Sequence, residues 1–164
     1  MAAGEVTFRS HRPGDIGWVI YRHGVLYCDK WGWDPRFEGL VARIMATFLD
    51  NYDPDAERGF IAEQDGKILG CIFVVKEPGT EACARLRVLL VEPEARGLGL
   101  GKQLVQKSVD FAREKNYKKV ILSTQSVLTP ARQLYTKIGF KRLYEETGHF
   151  TTPESKGEVW ELEL

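Results

Sequence analysis

Apolar and polar positions along the chain switch between two periods, and the switches predict its elements. Glu5-Val6-Thr7-Phe8-Arg9 alternates, as a half-buried strand does, and Pro13-Gly14 ends it. Asp15 reads as the N-cap of a helix over Ile16 to His23, with Gly24 as its stop or kink. After Asp34-Pro35, Phe37, Leu40, Val41, Ile44, Met45 and Phe48 recur at helical spacing. That single stripe reads as core rather than as a binding face, and Asn51 to Pro54 breaks it.

Period two returns in Gly59 to Glu63 and Lys67 to Val75, joined through Gln64-Asp65-Gly66, a hairpin signal. A loop around Pro78-Gly79 leads to Ala84 to Val91, whose end is apolar on both faces, as a central strand is. Glu92-Pro93 stops it. Leu100, Leu104, Val105, Phe111 and Ala112 then set an apolar helix face against Lys102, Gln103, Lys107, Asp110 and Arg113. Lys119 to Thr124 is a further strand. Thr129-Pro130 supplies N-cap and first-turn proline to a helix over Ala131 to Ile138, ended by Gly139. Two strands close the chain, near Phe140 to Tyr144 and Glu158 to Leu164. The second carries Trp160, Leu162 and Leu164 on one face and reads as able to pair across a homodimer. The order predicts an α/β fold with a mixed sheet, antiparallel early and late, with crossover helices in the middle.

Composition narrows the function. The 164 residues suit one domain spanning 1–164, and 43% of them are hydrophobic, enough for a core. Lys plus Arg and Asp plus Glu are both 23, so the basic excess of a nucleic-acid binder is missing. Apolar stretches reach only about five to eight residues, against roughly 20 for a membrane span. Met1 to Ser10 contains Glu5 and Arg9 and lacks a signal-peptide core. Cys28, Cys71 and Cys83 form no CxxC pair and read as buried free thiols of a cytoplasmic protein. The spacing of the three histidines suggests no metal site.

The chemistry concentrates in Val91-Glu92-Pro93-Glu94-Ala95-Arg96-Gly97-Leu98-Gly99-Leu100-Gly101-Lys102. A buried strand runs into a turn with glycine at every second position, and the turn opens an amphipathic helix. Bare main-chain N–H groups and a helix N-terminus together make a phosphate or diphosphate site, with Arg96 and Lys102 at its margins. A Walker A loop would need glycine at Arg96 and Ser or Thr at Gln103; a dinucleotide fingerprint would need glycine at Lys102. Both spacings fail.

Arg96-x-x-Gly99-x-Gly101 resembles the coenzyme loop of the GNAT superfamily of acyl-CoA-dependent N-acetyltransferases. Ala131-Arg132-Gln133-Leu134-Tyr135-Thr136-Lys137-Ile138-Gly139-Phe140 is similar to that superfamily's A-x-x-L-Y-x-K-x-G-F segment. More narrowly, His11 to Trp18, Tyr21-Arg22-His23-Gly24, Leu86 to Pro93 and Trp160-Glu161-Leu162 resemble the acetyltransferase half of MarR-type regulator–GNAT fusions. This chain would be that enzyme domain standing alone.

The resemblance implies a single domain of about seven strands and about four helices, with strands four and five splayed. It implies acetyl-CoA as co-substrate, no metal, and a small-molecule amine as partner. The pantetheine arm would pair with the backbone of Leu89, Leu90 and Val91, and the diphosphate would lie on the amides of Arg96, Gly97, Leu98, Gly99, Leu100, Gly101 and Lys102. A backbone N–H near Val91 would relieve charge on the carbonyl oxygen. Tyr135 matches the tyrosine that protonates the departing thiolate. For the base, Glu92 comes first, with His23 and His11 as runners-up. Many relatives carry an asparagine where Leu128 stands, and Gln125 or Ser126 could take over its contact.

Arg85 and Arg87 share a strand face. Arg87, if it faces the acceptor, would grip a carboxylate in a bidentate way; the alternative is a salt bridge within the sheet. Trp31 and Trp33 read equally as pocket lining or as core and lid packing. A peptide N-acetyltransferase and an idle acyl-CoA-binding module remain the competing functions.

Overall fold

A computed structural model describes residues 2–146 and 155–164. The elements follow in the order β1 (Thr7–Ser10), α1 (Asp15–Trp31), α2 (Pro35–Asn51), β2 (Arg58–Gln64), β3 (Lys67–Lys76), β4 (Cys83–Val91), α3 (Leu100–Glu114), β5 (Lys119–Gln125), α4 (Thr129–Ile138), β6 (Lys141–Glu146) and β7 (Gly157–Glu163). A short 3-10 turn, Pro93–Ala95, separates β4 from the glycine turn.

The strands form one sheet in the order β1-β2-β3-β4-β5-β7-β6. Every pairing is antiparallel except β4 with β5, which run parallel across the α3 crossover. The Asp65-Gly66 turn has both residues at positive φ, 50° and 77°, which matches the strand twist at a two-residue hairpin. β3 is buried on both faces. Cys71 and Phe73 meet Val19, Val41, Met45 and Phe48 of α1 and α2, while Ile72 and Val74 meet Leu104, Val105 and Val109 of α3.

Several sequence expectations need correcting. Gly14, at φ 97°, is the N-cap of α1, and Asp15 is its first residue, its carboxylate accepting from Arg9 and from the Arg12 N–H. α1 does not stop at Gly24; it runs on to Trp31 and ends on Gly32. The Glu38 side chain of α2 lies over Gly24, where a Cβ would have to displace its carboxylate. Leu128 rather than Thr129 precedes α4. Cys28 is exposed, while Cys71 and Cys83 are buried free thiols as expected. β7 has both its edges filled, by β5 and β6, so it offers no free edge for a dimer. The α2 stripe divides: Val41, Met45 and Phe48 enter the core, but Phe37, Leu40 and Ile44 stay half-buried for the reason given next.

Candidate active site

The ladder between β4 and β5 stops at Leu86↔Leu122. On the other edge of β4, Cys71 pairs with Leu90 and Phe73 with Arg87, so Ile72 faces both Val88 and Leu89. That is a bulge. It puts Val88, a β-branched residue, at φ 50°, a conformation such side chains rarely adopt. A bulge bends its strand, and here β4 parts from β5. Two cavities occupy the opening, about 200 and 390 Å³ in volume. They meet at Tyr27, Leu89, Leu128 and Ala131, which line both.

The larger cavity follows the glycine turn. Leu89, Leu90, Val91, Arg96, Gly97, Gly99, Leu100 and Gly101 line it, with Leu26, Tyr27 and Lys30 of α1 opposite. Gly97 and Gly99 sit at φ 84° and 72°, and Gly99 is the N-cap of α3. A Cβ on Gly97 would meet nothing within 4 Å, so solvent reaches these amides unshielded. An unshielded turn, a helix N-terminus and the Arg96 guanidinium on one wall suit a diphosphate. The backbone of β4 past Leu86, outside the β5 ladder, suits an extended amide-bearing arm. Leu98 and Lys102 are exposed beside this groove and do not line it.

The smaller cavity lies between α1, α2 and the splayed strands. Arg87, Tyr135, His23 and Trp33 all line it, so the structure brings these four sequence candidates together. Arg87 is half-buried, and no hydrogen bond or ion pair joins it to any described residue. Burial, with Arg85 nearby, pushes its pKa down to about 10. Tyr135 is 6% exposed, with the rings of Phe140 and Trp160 at 5.8 and 6.3 Å. Burial drives its phenol well above the ordinary range, so it stays protonated.

His23 is 2% exposed, with Nδ1 at 2.7 Å from the Val19 carbonyl. A carbonyl only accepts, so Nδ1 carries the proton and donates, leaving Nε2 a bare acceptor. Nε2 is buried with no partner among the described residues. Burial pushes this imidazole down to about 4, so it is neutral at ordinary pH. Trp33 stacks on Tyr27 at 5.1 Å and meets the Phe37 edge at 4.8 Å, packing and lining at once.

Other candidates lie elsewhere. Glu92 is buried but lines neither cavity; Arg22 of α1 donates to both its oxygens, at 2.6 and 2.8 Å. That pair ties α1 to the start of the glycine turn. His11 is packed between Phe48 and Tyr52, away from both cavities. Arg85 is held by Glu77 and by Ser123 Oγ at 2.9 Å, the sheet salt bridge that Arg87 lacks. The Ser126 hydroxyl accepts from the Lys156 N–H and lines neither cavity, whereas Gln125 does line the smaller one. His149 lies outside the described residues; among those described, no cluster of His, Cys, Asp or Glu could hold a metal.

Sequence reading missed Tyr27 and Glu146. Tyr27 stacks parallel on His23 at 5.8 Å, and burial pushes its phenol up to about 12. Its signal was available: it follows His23 by one helical turn on the same face of α1. Glu146, at the end of β6, had no such signal.

Comparison with known proteins agrees with this geometry. The model of the Acetyltransferase (GNAT) family matches residues 16–140. An uncharacterized N-acetyltransferase of Schizosaccharomyces pombe is 33% identical over 116 residues, 70% of each chain. N-acetylaspartate synthetase of Danio rerio is 32% identical over 113 residues; the match covers 69% of this chain but only 38% of that one. In shape, the chain is similar to a GNAT-family acetyltransferase crystal structure from Desulfovibrio desulfuricans, with a TM-score of 0.77 at 20% identity, covering 97% of this chain and 99% of the other.

Proposed function

Since the chain belongs to the acetyltransferase (GNAT) family and is an acyl-CoA-dependent N-acetyltransferase, we propose that it acetylates a small primary amine that also bears a carboxylate, such as an amino acid. One observation carries the acceptor class. Arg87 presents to the cavity that Tyr135 also lines a guanidinium with no hydrogen bond or ion pair to any described residue, and a guanidinium fork matches a carboxylate. Direct attack within a ternary complex needs both cavities filled at once, and they adjoin.

Bound acetyl-CoA supplies an acetyl group activated as a thioester. The amides from Arg96 to Gly101 and the N-terminus of α3 hold its diphosphate, and the backbone of Leu89, Leu90 and Val91 aligns its arm. Arg87 fixes the acceptor's carboxylate, which orients the amine. The amine enters neutral. His23 Nε2, its ring kept neutral by burial, accepts a hydrogen bond from the amine N–H and orients the amine lone pair. The proton shed as the C–N bond forms passes to solvent. The Tyr135 hydroxyl donates to the leaving sulfur. Burial raises the phenol, but it raises a thiolate in the same cleft too, so the transfer is less uphill than reference values of about 10 and 8.5 suggest. Glu92 acts through Arg22 as a positioning residue rather than as the base.

We place this activity in the cytoplasm, in keeping with the free thiols; no described helix is long and apolar enough to cross a membrane. The narrower likeness to MarR-type fusions rests only on the stretches quoted for it.

Tyr135→Phe tests the assignment. Turnover of a carboxylate-bearing amine should fall by roughly a hundredfold while coenzyme A affinity stays within about twofold. No transfer to any amine, before or after the change, would support an idle acyl-CoA-binding module instead. Transfer to peptide N-termini but not to free amino acids would support the peptide reading.

A further inference from the structure

Building on Arg87 as the carboxylate anchor, we propose that the acceptor is an α-amino acid with a large apolar or aromatic side chain, read by Phe37, Leu40 and Ile44 of α2. The α2 stripe is one apolar face, yet only half of it is fully buried. Val41, Met45 and Phe48 are covered by Val19, Ile61 and Phe73. Phe37, Leu40 and Ile44 are only half-buried and, with Val41, line the smaller cavity beside Trp33, while Phe37 and Ile44 also pack against that core cluster. Apolar surface left open inside a cavity is completed by an apolar group.

Charge placement points the same way. Among the described lining residues only Arg87 and Glu146 carry charge, and both belong to the sheet. The α2 wall offers neither a cation for a second carboxylate nor an anion for a second ammonium. Among the described lining residues a second carboxylate has no cation beyond Arg87 to pair it, and an ammonium set against α2 would lie on hydrocarbon, the carboxylate of Glu146 belonging to β6 rather than to that wall. The cavity, about 200 Å³, is of the size of one such amino acid. A peptide N-terminus would enter without the free α-carboxylate that Arg87 requires.

The test assays the full chain with acetyl-CoA against L-phenylalanine, L-leucine, L-alanine, L-aspartate, L-lysine and phenethylamine, following thiol release. Phenylalanine and leucine should exceed alanine, aspartate and lysine in kcat/KM by at least about tenfold, since even one methylene in an apolar pocket discriminates by that order. Phenethylamine, which lacks the carboxylate, should fall behind phenylalanine by a similar factor, and Arg87→Ala should erase that gap. Leu40→Gln should lower the preference for phenylalanine over alanine while coenzyme A binding, measured by calorimetry, stays unchanged. A preference for aspartate, alanine or lysine that still depends on Arg87 overturns the apolar reading and leaves the carboxylate anchor standing. Phenethylamine equal to phenylalanine overturns the anchor itself, and the proposed acceptor class with it.

Discussion

His23 shows how burial sets chemistry at the scale of one residue. Unfolded, this imidazole titrates near 6.5; folded, burial holds it near 4. Between those values the unfolded chain binds the extra proton, so stability is full above about pH 6.5 and declines on acidification toward pH 4. The loss is on the order of 3 kcal/mol. His11, also pushed down by burial, adds to the decline in the same direction. Asp15, held below its ordinary value by Arg9 and the Arg12 N–H despite burial, contributes only at more acid pH. Urea unfolding at pH 7.5 and pH 5 should therefore show a smaller stability difference in His23→Gln than in the wild type. An equal difference would mean that His23 is not buried neutral.

Glu92 is the residue whose role sequence could not settle. Its place at the strand end beside the coenzyme loop was legible; its partner Arg22, 70 residues earlier, was not, because nothing local links the two. Glu92→Gln leaves Arg22 without its counter-charge and should cost about 2 kcal/mol of stability, less than a fully buried pair because Arg22 is partly exposed. Its kcat should fall less than about tenfold. A loss of a hundredfold or more with stability intact would make Glu92 the base after all. Gly97, Gly99, Arg87 and Tyr135 were readable because each needs only its residue type and a motif or strand parity. Tyr27 and Glu146 owe their place in the cavity to how α1 and β6 pack.

At the scale of elements, the site exists because β4 bulges and leaves β5. Where most elements lie was legible from periodicity, though not the reach of α1 to Trp31; the bulge at Val88 was not, since a continuous apolar run carries no mark of a skipped pairing. The same blindness explains the α2 stripe: all six positions were found, but which of them line a cavity depends on the splay. Gly70 of β3 supports that geometry. A Cβ there would lie 2.7 Å from the Leu90 carbonyl oxygen, a backbone atom, on the stretch of β4 that lines the coenzyme groove. Gly70→Ala should destabilise the fold by about 2 kcal/mol and weaken coenzyme A binding at the same time. Destabilisation without loss of binding would show that the two ends of that contact are uncoupled.

Taken whole, the molecule is a sheet opened at one parallel junction, with the glycine turn at one end of the opening and the pocket lined by Arg87 and Tyr135 at the other. Its fold class and element order were legible because strand and helix periods alternate cleanly. The neighbour order was not, as β7 inserted between β5 and β6 shows: alternation reports which face is buried, not which strand lies alongside. Everything proposed about transfer depends on the coenzyme reaching the glycine turn. Calorimetric titration of coenzyme A into the full chain tests this most directly. The account predicts one-to-one association in the wild type, weakened at least about tenfold by Gly99→Glu, which sets a negative side chain among the amides. No association with the wild-type chain, or equal affinity in a folded Gly99→Glu variant, would contradict it.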